Sequence, residues 1–162
     1  MPRHEPSEEY EPAEPRVVVE RRALRELELV YRRVEEILAG FSCPKSGECC
    51  LLARTGRVPY LLPLEQLRLS RSLGAQGRGW PEPRADGACA FLDESGLRCS
   101  VYADRPFGCR TFFCERGAGR APANASLHEL SARLTAASDK LEAQGAPVPI
   151  LQLFRAGGRG TS

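Results

Sequence analysis

From Arg16 to Ala39 apolar side chains return every three or four residues, at Leu24, Leu27, Tyr31, Val34 and Leu38, the period of one buried stripe along an α-helix. Glu28 and Arg32 stand one turn apart on the polar side and add a helix-supporting pair. Gly40 follows where a helix end favours a residue tolerant of positive φ, so the helix is expected to close there. Val58 to Leu62 reads as a short extended piece, Pro63 as a first helical residue, and Leu64, Leu67 and Leu73 as one apolar face before Gly74. Gly74 to Gly87, with Gly77, Gly79, Pro81 and Pro83, is a loop. Ala90-Phe91-Leu92 and Leu97-Arg98-Cys99 flank the turn residues Asp93 to Gly96, which predicts a β-hairpin bringing Cys89 and Cys99 together. A last helix begins near Ser126, where Ser126 and Glu129 form a capping-box pattern; it carries Leu127, Leu130, Leu134 and Leu141 and stops before Gly145. Pro147 to Phe154 is apolar and is expected to fold back on the body; exposed instead, Ile150-Leu151-Leu153-Phe154 would dock a protein partner.

These elements describe a small α+β domain, helix-rich and irregular, spanning residues 16–154. Residues 1–15 hold five Glu and four Pro and read as a disordered start; residues 155–162 read as a flexible Gly-rich tail. No apolar stretch is long enough to cross a membrane and the start has no signal-peptide pattern, so a reducing cytoplasm is the expected compartment.

Net charge changes the picture little. The chain carries +2 overall, and beyond the acidic start 22 basic side chains face 16 acidic ones, a net of +6 spread without a Lys/Arg block or interleaved aromatics. That is too weak an electrostatic footprint for nucleic acid. Arg outnumbers Lys by 21 to 2, which we read as codon bias of a GC-rich genome.

Cysteine changes it most. All seven fall in two groups, Cys43, Cys49 and Cys50, then Cys89, Cys99, Cys109 and Cys114. An odd count in an expected reducing compartment argues against a disulfide framework. Clustered thiols with only His4 and His128 for company point to a sulfur-rich metal site, since thiolate binds zinc tightly and also ligates iron. Four thiolates serve one zinc or one cubane cluster, so seven exclude two independent four-cysteine sites. The favoured ligand set takes Cys43 and one of Cys49 and Cys50 from the first group with two or more from the second. Such a site would clip the two halves together and couple metal binding to folding. Arg105 and Arg110 are placed to donate to sulfur and offset its charge, or to make ordinary pairs with Asp93, Asp104 or Glu115. Tyr102, Phe107, Phe112 and Phe113 supply an apolar shell or simply core.

Cys43-Pro44-Lys45-Ser46-Gly47-Glu48-Cys49-Cys50, with Cys89-Ala90-Phe91-Leu92, Cys99-Ser100-Val101-Tyr102, Arg105-Pro106 and Cys109-Arg110-Thr111-Phe112-Phe113-Cys114, resembles the bacterial cysteine-cluster family of zinc- or iron-chelating domains, the CxxCxxCC domain, over residues 43–114. Ser46 stands where that pattern has its second cysteine. A hydroxyl is a poor ligand for either metal at neutral pH, so that position is dispensable or the site differs here. The resemblance also implies a possible link to protein methylation, because the domain occurs in flagellin lysine methylases; nothing outside the cysteine region resembles a cofactor-binding methylase fold.

Without a CxxC knuckle, iron or an iron–sulfur cluster is favoured over zinc, the close second. The expected function is metal binding in an accessory, redox or metal-handling role. The alternatives are a structural-zinc interaction module and an enzyme using the metal centre. Catalysis has little local support: no Cys–His pair, phosphate loop or dinucleotide fingerprint occurs.

Overall fold

A computed structural model describes residues 14–44, 46–112, 118–119, 124–141 and 145–158. The architecture is helix-rich with small antiparallel strand pairs, an α+β domain as expected. The acidic start, apart from Glu14 and Pro15, and the end of the tail lie outside the described residues.

The first helix, α1 (Arg16–Ile37), buries Ala23, Leu27, Val30, Tyr31 and Val34. Leu24 and Leu38, read as part of the stripe, are half-buried at its edge. Glu28 pairs across space with Arg68 at 3.0 Å. Gly40 is not left-handed: the helix ends at Ile37 and leaves through an ordinary turn closed by the Phe41 N–H on the Leu38 carbonyl at 2.8 Å.

Strand β1 (Phe41–Ser42) follows, then a 3₁₀ turn over Glu48–Cys50, a single-turn helix α2 (Leu52–Thr55) and strand β2 (Tyr60–Leu61). Helix α3 (Pro63–Ala75) starts at the predicted proline, which loses no hydrogen bond there. Beyond the loop come α4 (Phe107–Arg110), β3 (Ala118–Gly119), α5 (Asn124–Asp139), β4 (Val148–Pro149) and α6 (Ile150–Arg155). Helix α5 begins two residues before Ser126, so the predicted capping pair Ser126 and Glu129 lies inside the helix and not at its start.

β1 pairs with β3 and β2 with β4, both antiparallel. The apolar C-terminal segment does fold back: β4 lies against β2, and Ile150, Leu153 and Phe154 are buried. Only Leu151 of the four residues considered for partner docking is left half-buried, so the segment is core.

Two hydrophobic clusters meet at α3. One unites α1, α3 and α5 through residues such as Leu27, Val30, Leu64, Leu130 and Leu134. The other packs Leu61, Leu69 and Leu73 against Phe91, Ile150, Leu153 and Phe154, with Cys89 buried in it and Cys50 and Cys99 at its edge. Phe91 and Phe154 meet edge-on with centroids 5.2 Å apart, and Trp80 from the loop leans on both.

Glu65 joins the clusters. Its buried carboxylate accepts from the Tyr31 hydroxyl at 2.9 Å, the Leu62 N–H at 2.9 Å and the Phe107 N–H at 2.6 Å. Loss of water raises its pKa, opposed by those three donors and by Arg110. One side chain thereby starts α3 and holds α4, the carrier of Cys109.

Candidate metal centre

The two cysteine groups converge. A cavity of about 430 Å³ is lined by Cys43, Cys49 and Cys50 from the first and by Cys89, Cys99 and Cys109 from the second. Cys114 lies outside the described residues. Ser46, at the position of the family's missing cysteine, also faces this space.

Local backbone chemistry brings the groups together. Gly47 has φ +71°, and a Cβ there would sit 2.2 Å from the Gly96 carbonyl oxygen. Only glycine allows this approach, which lays the first cysteine loop on the turn preceding Cys99. The Cys89 N–H donates to the Cys50 carbonyl at 2.8 Å, fixing a second crossing. Arg84 and Asp86 pair at 2.8 Å, and Asp86 accepts the Ala88 N–H at 3.0 Å, which orients the chain into Cys89.

The predicted hairpin shrinks to one antiparallel bridge, Leu92 with Cys99. Asp93 accepts from the N–H groups of Leu97 and Arg98, both at 3.2 Å, so the turn spends the backbone donors that a longer ladder would use. Cys89 and Cys99 still reach the same cavity.

The thiols influence one another. Cys49 and Cys50 share a side-chain hydrogen bond, and Cys50 bonds Cys89 in turn. The bond to Cys50, then burial, pushes the Cys49 thiol far above its ordinary range, against the pull of Arg57 and Arg105. For Cys50 the bond from Cys49 lowers the pKa, but the bond to Cys89, burial and the neighbouring thiols outweigh it and raise it to about 12. Burial lifts Cys109 to about 11 and also raises Cys99. These four are therefore neutral thiols at physiological pH, and a bound metal ion would have to displace their protons.

Among the described residues, no three cysteine, histidine or acidic side chains already stand in metal-ligating geometry. The donor chemistry nonetheless fits a thiophilic metal: six thiols line the space among apolar walls and the cationic side chains Arg57, Arg98 and Arg105, and no described carboxylate lines it. The thiols stand at a rim where Cys43 is exposed and Cys49, Cys50, Cys99 and Cys109 are half-buried. His128 does not line the cavity, and His4 lies outside the described residues.

The two expected arginines part company. Arg105 lines the cavity, its guanidinium over the Tyr102 ring at 3.6 Å. Arg110 does not line it: the side chain is buried, donates to the carbonyls of Arg105 and Ala103, pairs with Glu35 at 2.8 Å and lies 4.0 Å over Tyr31. It braces α4 against α1. Asp104, an alternative partner for either arginine, is taken by Arg68 at 3.0 Å. Of the aromatic side chains expected around the site, Tyr102 lines the cavity, whereas Phe107 packs against the bundle cluster.

Sequence reasoning passed over Arg57. It lines the cavity, donates to the Cys49 carbonyl at 2.7 Å and the Gly108 carbonyl at 3.2 Å, and stacks on Phe112 at 3.7 Å. A lone cation after a glycine, outside any periodic run, gives no signal of this role.

The family model described as a putative zinc- or iron-chelating domain, CxxCxxCC, matches residues 42–130, more than half of the chain. No curated protein and no solved structure matches. The chain belongs to this family of metal-chelating domains.

Proposed function

Starting from membership of a zinc- or iron-chelating family, we propose that this protein holds an iron-containing centre, preferably an iron–sulfur cluster, between its two cysteine segments, in an accessory, redox or metal-handling role in the cytoplasm. The observation that carries the reading is convergence: six thiols separated by up to 66 residues line one cavity. Ligands would come from Cys43 and the Cys49/Cys50 pair on one side and from Cys89, Cys99 and Cys109 on the other.

Two features favour iron–sulfur over a lone zinc ion. The thiols are irregularly spaced, which cluster ligation tolerates better than a zinc knuckle does. The cavity is much larger than one ion. Arg57 and Arg105 supply positive charge beside sulfur, which suits the anionic thiolate shell of either metal. When bound, the centre would supply electron transfer or metal storage. The chain's residues would hold it, exclude water through Phe91, Val101 and Ile150, and offset its charge.

The second reading is a structural zinc site in an interaction module. It draws on the crossings at Gly47 and Cys89, which a single ion could lock. Metal and acid-labile sulfide analysis of untagged protein purified without air separates the two. Iron with matching sulfide and visible absorbance is expected; colourless protein with about one zinc would transfer the assignment to the second reading. Folded protein free of metal would refute both.

A further inference from the structure

Arg57 hydrogen-bonds both halves of the cavity wall. Gly56 takes the left-handed conformation after α2 and turns the chain back so that the next side chain points under the cysteine loop. There one guanidinium nitrogen donates to the Cys49 carbonyl at 2.7 Å and another to the Gly108 carbonyl at 3.2 Å. The same group hydrogen-bonds the Cys109 side chain, and the face of Phe112 covers it at 3.7 Å. Cys49, bound through its carbonyl, and Cys109, bound through its sulfur and the preceding Gly108 carbonyl, belong to different cysteine groups and share the cavity.

The geometry suits a guanidinium and nothing smaller. A planar fork with several fixed donors spans two carbonyls and a sulfur at once, whereas a lysine ammonium on a flexible stem is a point charge. Arg105 cannot substitute, since its Nε is committed to the Tyr102 carbonyl at 3.1 Å and its guanidinium rests on that residue's ring. Arg110 faces α1.

We propose that Arg57 is the positioning residue of the metal centre: it sets the separation of the Cys49 and Cys109 sulfurs by clasping both segments, and it donates a hydrogen bond to Cys109 sulfur in the loaded state. This role rests on the metal-binding reading above.

The test loads the full-length protein with cobalt(II), which reports thiolate ligation by its sulfur-to-metal charge-transfer absorbance, and compares the parent with Arg57→Gln and Arg57→Lys. Arg57→Gln is expected to weaken cobalt binding by about tenfold to a hundredfold, the usual cost of losing an outer-shell partner, and to shift the charge-transfer band. The thermal midpoint of the metal-free protein should fall only by what the loss of these hydrogen bonds costs, far less than the loss of affinity. Arg57→Lys should recover only part of the affinity, because charge returns without the fork. Parent-like affinity and spectrum in Arg57→Gln would overturn the role, as would a loss of affinity matched by a fall in the metal-free midpoint. Full recovery in Arg57→Lys would overturn the clasp. A parent that takes up no cobalt would overturn the metal reading and this role with it.

Discussion

The helical bundle and the cysteine cavity are built on opposite terms although they share α3. In the bundle Leu27, Val30, Val34, Leu64 and Leu134 have no exposed surface, and burial of that kind needs no ligand. Around the cavity the thiols are mostly half-buried, the regular pairing is a single bridge, and segments meet through close glycine approaches and isolated hydrogen bonds. One half is held by apolar contact and the other is left for something to complete. Stability should therefore reside in the first region and metal dependence in the second.

Breaking the bundle should have the largest effect. Leu27→Ala leaves a cavity in the α1, α3 and α5 cluster and should cost about 2–5 kcal/mol of unfolding free energy, read by denaturant unfolding with chelator present or absent. A mutant destabilised only when metal is removed would contradict the division.

Gly47→Ala should cost about 1–3 kcal/mol locally, through the left-handed backbone and the collision with Gly96. It should detach the first cysteine loop, so metal content falls while helical circular dichroism persists. Retained metal would show that the close approach is incidental.

Acidification should weaken metal binding more gently. Cys50 near 12 and Cys109 near 11 are protonated at neutral pH. Each ligated thiol must release its proton, so affinity falls as pH drops, by about tenfold per unit for each proton displaced. Chelator competition between about pH 6.5 and 8 measures the slope; a flat profile would mean that these thiols are not ligands. The smallest effect belongs to Ser46→Cys, which adds a thiol facing a cavity already rich in them and should tighten binding by less than about tenfold. A gain far beyond that would mean that the parent centre lacks an essential donor.

The same contrast governs how much the sequence revealed. Helical stripes repeat every few residues, so α1, α3 and α5 could be read directly, with Leu24 and Leu38 packed at the stripe's edge. The fold-back of Ile150 to Phe154 followed from apolarity, but its pairing with Tyr60–Leu61 joins residues too distant for local patterns to reveal. Cysteine order marked the site. What organises it did not show: Glu65 receives Tyr31 from 34 residues away, and Arg57 reaches Gly108 across 51. Arg110 sits beside Cys109 in sequence, yet its length and the short α4 turn it towards Glu35 on α1. Adjacency in the chain predicted contact with sulfur, and helix geometry directed the side chain the other way.

Hydrogen exchange on the full-length protein, metal-free and metal-loaded, tests the central claim most directly. Loading should raise amide protection most in residues 46–50, 89–99 and 107–110, and in α1, α3 and α5 only as far as global stability rises. Protection gained uniformly, gained only in the bundle, or not gained at all would contradict a metal centre held between the two cysteine segments.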